Sequence, residues 1–296
     1  MPGIVHETVA VNGIRLHVAR AGAGPLMLLL HGFPDYWACW RAQLEYFGAR
    51  GWMAVAPDLR GFNLSDKPEG VEQYRARHVM GDVAALAAHY GRERFVLAAH
   101  DWGGAIAWSY AIARPEALSR LVILNSPHPY RFWRELCDNP AQQAASAYFL
   151  LFRQPGKAEH VLSADNYQRL WNMVRDDWGG GNDADREAFV AAMSQPGALT
   201  GGLNYYRATP VYPPSADDPG ARKLKLEARD LVVRVPTLVV WGEQDRALLP
   251  SLLDGMDACV PQLKLVRVPD AGHWVMRQRP ELVNREIEAF VGAPGG

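Results

Sequence analysis

The stretch Phe95-Val-Leu-Ala-Ala-His-Asp-Trp-Gly-Gly constrains this chain more than any other. It passes from an apolar strand signal into a helical one through a turn with Asp101 at its apex. Small residues, Ala99 and Gly103, stand two positions to either side. A strand that turns sharply into a helix holds its apex residue in a strained backbone conformation, and only small neighbours fit at those positions. Such a nucleophile elbow lifts the apex side chain above a sheet, at a helix N-terminus. The plainer alternative is a glycine-rich turn whose Asp caps the following helix.

The surrounding pattern predicts the sheet. Val5–Val11 and Ile14–Arg20 flank Asn12-Gly13, a strong hairpin signal. Leu26–Leu30 is a continuous apolar run, as a strand buried on both faces should be. Met53–Ala56 reads as a strand ended by Pro57, Phe95–Ala99 as the strand before the elbow, and Leu121–Leu124 as another. Helical stripes separate them: Trp40, Leu44 and Phe47, then Val79, Val83, Leu86 and Tyr90, then residues 104–114. This alternation implies an α/β fold, a mostly parallel sheet covered by helices on both faces. From about Pro127 to residue 225 the pattern turns helical or irregular and includes Gly179-Gly180-Gly181. Strand signals resume at Thr237–Trp241 and Lys264–Val268, and a last helix is expected over Pro280–Val291 before a frayed tail. The expected division is a sheet domain over 1–129 and 226–296 interrupted by a helical insert over 130–225.

A nucleophile at an elbow needs a base later in the chain and an acid to orient it. His273 follows Lys264–Val268 within Asp270-Ala-Gly-His-Trp, and Asp245 follows Thr237–Trp241 within Trp241-Gly-Glu-Gln-Asp. Catalytic groups of open parallel sheets collect at the carboxyl ends of strands. The order Asp101, Asp245, His273 is therefore that of nucleophile, acid and base. His31-Gly-Phe-Pro follows Leu26–Leu30 and would set the backbone N–H of Phe33 beside that of Trp102, a two-donor oxyanion hole. Read alone, it is also a tight Pro turn.

With these motifs in place, the chain resembles an α/β-hydrolase-fold enzyme of the soluble epoxide hydrolase family. The likeness covers nearly the whole chain. It rests on His31-Gly-Phe-Pro, Asp58-Leu-Arg-Gly-Phe, His100-Asp-Trp-Gly-Gly, Asn125-Ser-Pro-His-Pro and the Asp245 and His273 loops. An Asp in place of Ser at the elbow is the most selective of these. The resemblance implies that the insert is a helical cap contributing two tyrosines. One stands seven residues before a Pro-Gly and one within a Leu-Asn-aromatic-Tyr-Arg string. Tyr148, before Pro155-Gly156, and Tyr206, in Leu203-Asn-Tyr-Tyr-Arg, match both positions.

The aspartate also restricts the chemistry. A serine that attacked a saturated carbon would become an ether. A carboxylate becomes an ester, which activated water can cleave at its carbonyl, so Asp101 points to displacement at an sp³ carbon. An epoxide oxygen leaves as an attached alkoxide and needs an acid facing it. Tyrosine, un-ionised at neutral pH with a pKa near 10, suits that task. Phe33, Trp102, Phe149, Phe152 and Trp274 are expected to line an apolar substrate site, with Trp171 and Trp178 adding to the aromatic insert. The nearest rival is a dehalogenase on the same fold. Phe33 stands where haloalkane dehalogenases have an Asn, and Trp102, Ala105 and Trp108 leave no arginine clamp for a haloacid. A catalytically silent binding protein of this fold would have lost one of the five catalytic residues, and none is lost.

Composition removes other classes. With 31 Lys and Arg against 32 Asp and Glu, and no basic run, nucleic acid is not an expected partner. Cys39, Cys137 and Cys259 form neither a disulfide framework nor a zinc motif. Together with an N-terminus lacking a signal-peptide profile, they suggest a reducing, cytoplasmic setting. The run Leu26–Leu30 is far short of a membrane span, for which about 20 residues are needed. There is no P-loop, no dinucleotide fingerprint and no HExxH, so no cofactor and no metal is expected. The expected partner is a small-molecule epoxide, and the expected state a monomer or homodimer.

Overall fold

In the computed structural model, which describes residues 3–176 and 181–294, the chain builds one eight-stranded sheet. Its strands are β1 (Val5–Val11), β2 (Ile14–Ala21), β3 (Leu26–Leu30), β4 (Met53–Pro57), β5 (Phe95–His100), β6 (Leu118–Leu124), β7 (Thr237–Gly242) and β8 (Leu263–Val268). They lie in the order β1-β2-β4-β3-β5-β6-β7-β8. β1 and β2 form a hairpin because Asn12 and Gly13 both take the positive φ that a two-residue turn of matching twist requires. β2 also runs antiparallel to β4, and every later pairing is parallel. All five residues of β3 are at most 1% exposed, so the apolar run is a central strand covered on both faces. Burial of each such side chain is worth about 1.5–3 kcal/mol relative to exposure.

The helices are α1 (Arg41–Gly48), α2 (Ala76–His89), α3 (Asp101–Ala113), α4 (Pro129–Asp138), α5 (Pro140–Ala145), α6 (Tyr148–Phe152), α7 (Lys157–Val174), α8 (Asp183–Met193), α9 (Ala198–Ala208), α10 (Val275–Gln278) and α11 (Pro280–Val291). Six of them, α4–α9, fall between β6 and β7, and no described residue there is in a strand. Pro129 and Pro140 start α4 and α5 at the positions where a missing N–H costs nothing, behind His128 and Asn139 as caps.

Two expected boundaries move. The helix expected over 104–114 runs over Asp101–Ala113, so Gly103 is inside it rather than in a turn before it. The strand expected from Leu121 begins at Leu118. Trp178, Gly179-Gly180 and the last two residues of the tail lie outside the described residues. Among the described residues, no helix is long and apolar enough to cross a membrane.

Candidate active site

Asp101 is the first residue of α3, directly after the buried strand β5, with φ at +50°. A non-glycine residue held there is strained, and the surroundings must over-determine it. They do so at close quarters. A Cβ on Gly103 would sit 2.5 Å from the carbonyls of Leu30 and His31, so only glycine lets the helix start this near β3. The Ser126 hydroxyl donates to the Asp101 carbonyl at 2.7 Å. On the facing loop, Phe33 N–H donates to Asp101 Oδ1 at 2.8 Å. A Cβ on the neighbouring Gly32 would lie 2.0 Å from that same oxygen. Buried His31 secures this loop from behind, its Nε2 accepting from Leu59 N–H at 3.0 Å. The second expected donor, Trp102 N–H, belongs to the first turn of α3, where helical N–H groups lack partners within the helix.

His273 stands in the loop after β8, with its Nε2 3.6 Å from Asp101 Oδ2. That is an ion-pair separation, longer than a hydrogen bond. Its Nδ1 lies 2.6 Å from Asp245 Oδ2. Asp245, in the loop after β7, is saturated on both oxygens. Oδ1 accepts from Ala247 and Leu248 N–H, each at 2.9 Å, and Oδ2 also accepts from Asn125 Nδ2 at 2.9 Å. Burial alone would drive His273 toward neutrality. The Asp245 charge, together with contact to Asp101, overrides it and pushes the imidazole up to about 10. Burial likewise pushes Asp101 and Asp245 upward, yet His273 and the N–H donors hold both carboxyls below their usual range. His100, between strand and elbow, is the counter-case: burial and the adjacent His273 push it down to about 3. A neutral His100 ring therefore contacts His273, its Nε2 2.9 Å from the His273 carbonyl.

Tyr148 opens α6 and Tyr206 lies in α9, with ring centroids 6.0 Å apart. Tyr206 is 2% exposed, wedged edge-on among Phe33, Trp102, Phe149 and Phe152 at 4.8–5.6 Å between ring centroids. Burial raises both phenols well above their ordinary value, and the Asp101 carboxylate raises them further. Each is thereby kept as a hydroxyl able to donate. A cavity of about 550 Å³ reaches Asp101, its walls including Trp102, Ile106, Phe132, Tyr148, Phe149 and Val211.

The structure brings together Asp101, His273 and Asp245, with Phe33, Trp102, Tyr148, Tyr206, Phe149 and Phe152 around them. Trp102, Tyr148, Phe149 and Tyr205 line the cavity, whereas Tyr206, Phe33 and Phe152 are not among its walls, and Phe33 and Phe152 pack edge-on against Tyr206. Trp274 likewise is not among the cavity walls. Its indole N–H donates to buried Asp35 at 3.0 Å, and its ring lies against His273. Sequence reasoning missed Asn125 as a site residue. Its φ is +36°, its Oδ1 accepts from Gly242 N–H at 2.8 Å, and it bridges β6 to the Asp245 loop. The signal available was an Asn directly after a buried strand, which tolerates a left-handed backbone.

Residues 25–280 match the family model of the alpha/beta hydrolase fold. The chain is 36% identical over 295 residues to "AB hydrolase superfamily protein YfhM" of Bacillus subtilis, covering 98% of this chain and 99% of that one. It is 36% identical over 291 residues to epoxide hydrolase 3 of Xenopus tropicalis, covering 95% of this chain and 75% of the relative. Among solved structures, an epoxide hydrolase of Bacillus megaterium in complex with an inhibitor is similar at a TM-score of 0.88 and 34% identity, over 96% of this chain and 99% of that one.

Proposed function

Because the chain belongs to the α/β-hydrolase fold family and, within it, to the epoxide hydrolases, we propose that it opens an apolar epoxide to a vicinal diol through an ester on Asp101. The reading rests on one observation. A carboxylate, not a hydroxyl, occupies the strand–helix apex, with a backbone N–H on one oxygen and an imidazole near the other.

In this reading Asp101 Oδ2 attacks a ring carbon. The carbon–oxygen bond of the oxirane breaks, and the oxygen takes its electron pair and a proton from Tyr148 or Tyr206. Two donors converge on one oxygen, which stabilises the charge where it develops. Oδ1 becomes the ester carbonyl oxygen and stays on Phe33 N–H. His273, oriented by Asp245, then deprotonates a water that adds to the Asp101 carbonyl carbon. The negative charge collects on Oδ1, beside the N–H groups of Phe33 and Trp102. Collapse breaks the bond between the carbonyl carbon and the alkyl oxygen, which leaves with the proton that His273 took. The second proton of the water returns to the tyrosinate, so the diol is released and carboxylate, imidazole and phenol are restored. Residues 130–225 act as the cap that supplies the tyrosines, and the aromatic cavity wall favours an apolar substituent on the epoxide.

The test is His273→Gln with an aryl or alkyl epoxide. Ester formation should proceed while its hydrolysis stalls, so intact mass should show the protein heavier by one substrate. Full turnover without an adduct would rule out the ester. A panel scored for diol and for halide separates the rival chemistry, and halide release without diol from any epoxide would end this reading.

A further inference from the structure

The two tyrosines come from different helices, which pack through Phe149 and Phe152 on Tyr206 and are also hydrogen-bonded together by one side chain. Arg153 follows α6 directly, its N–H closing that helix on the Phe149 carbonyl at 2.9 Å. Its guanidinium crosses to the C-terminus of α9. There Nη1 donates to the carbonyl of Tyr206 itself, to that of Arg207 at 3.4 Å and to that of Thr209 at 3.1 Å. The last carbonyls of a helix have no partner within it and form the negative end of its dipole, so a cation is favoured there. The guanidinium is held from its other side by the Tyr212 ring, 3.6 Å from its centre. Tyr212 is anchored in turn through its hydroxyl to Asp218 at 3.0 Å.

Two further facts make this contact more than general packing. α6 has five residues, and a helix that short does not hold its own orientation in water. The position of α9 within the insert already has a separate tie, the paired bonds from Arg207 to Glu159 at 2.8 and 2.9 Å. Arg153 therefore contributes the alignment of α6 on α9. That alignment decides whether two phenol hydroxyls can reach one oxygen at hydrogen-bond distance.

We infer that Arg153 is a positioning residue for ring opening, setting the spacing of the Tyr148 and Tyr206 hydroxyls through the carbonyl of Tyr206 and its neighbours. The inference rests on the ring-opening role proposed above for the tyrosines. It concerns only the first half of the reaction, because His273 and Asp245 are carried by the loops after β8 and β7.

Single-turnover kinetics separates the halves, with acid quenching and intact mass following ester formation and ester loss. Arg153→Ala should slow formation by about tenfold or more, the cost of ångström-scale misplacement of a reacting group. Ester loss should stay within about twofold of wild type, and Arg153→Lys, which keeps the charge but not the fork, should fall between. In a Tyr206→Phe background, Arg153→Ala should slow formation by no more than about another twofold, since coupled residues are not additive. Equal slowing of both steps, or an undiminished effect in the Tyr206→Phe background, overturns the inference. Should Arg153→Ala fail to fold, Arg153→Lys carries the same comparison. Tyr206→Phe with unchanged ester formation would sink the tyrosine role itself and this inference with it, a result distinct from the other two.

Discussion

Neutralising Asp101 should change what His273 is. The two groups face each other across 3.6 Å, between Asp101 Oδ2 and His273 Nε2. Opposite unit charges at that separation attract by about 5 kcal/mol at an effective dielectric of about 20, equivalent to roughly 3 pKa units. His273 is pushed up to about 10 in the free enzyme, so it rests as an imidazolium between two carboxylates. The D101N variant keeps the shape of the carboxylate and removes its charge, as esterification of Asp101 would. The His273 pKa should then fall by about 2–3 units, toward neutrality, with Asp245 still holding the other nitrogen. NMR titration of isotopically labelled histidine in wild type and D101N measures this directly, with intact mass at each pH confirming that the new amide persists. A His273 pKa within about half a unit of wild type would refute the electrostatic argument. The sequence of events makes sense of the high starting value. A charged His273 keeps Asp101 ionised, and in the proposed reaction the loss of that carboxylate charge on ester formation lowers the His273 pKa and turns the imidazole into a base.

Two other outcomes are expected. Gly32→Ala places a Cβ 2.0 Å from Asp101 Oδ1, so turnover should fall by more than about a hundredfold while circular dichroism stays native. A folded variant keeping a tenth of wild-type turnover would show that the turn relaxes instead. For stability, His273 has a folded value above its unfolded 6.5, so its contribution is complete below that pH and is lost as pH rises through about 10. Asp101 and Asp245 act in the opposite sense, stabilising above their unfolded 3.8 and losing that effect as pH falls through their depressed values. The urea midpoint of the wild type should therefore decline between neutral pH and pH 10, and more steeply than that of His273→Gln. Matching slopes would remove His273 as the cause.

What was legible in the sequence is what local chemistry encodes. The run Leu26–Leu30 had to be covered on both faces, Asn12-Gly13 had to turn, and Asp101 flanked by Ala99 and Gly103 had to stand at a strand–helix apex. The expected start of α3, at Gly104, is three residues late, although Gly103 and Gly104 both lie inside the helix. Their reason for being in a helix is non-local: the carbonyls of Leu30 and His31 crowd the first, and Ser126 crowds the second. Asn125 was passed over for a similar reason. Its partners Gly242 and Asp245 are more than a hundred residues away and become neighbours only because β6 pairs with β7. Trp274 shows the limit of adjacency as a guide. Standing next to His273 in sequence says nothing of direction, and buried Asp35 draws its indole away from the cavity.

The pairing of β6 with β7 has a consequence for what the chain can carry between them. Leu121 sits opposite Thr237 in the sheet, although residues 125–236 separate the two strands. Closing a longer excursion between fixed ends costs little, since each doubling of its length adds only about 0.6 kcal/mol. The strands thus set no tight bound on the length or content of what lies between them. Asp101, Asp245 and His273 are carried by the sheet and the loops at its strand ends, whereas Tyr148, Tyr206 and Arg153 are carried by the segment between β6 and β7. A different segment between the same two strands would set different side chains over the same carboxylate without moving a single strand.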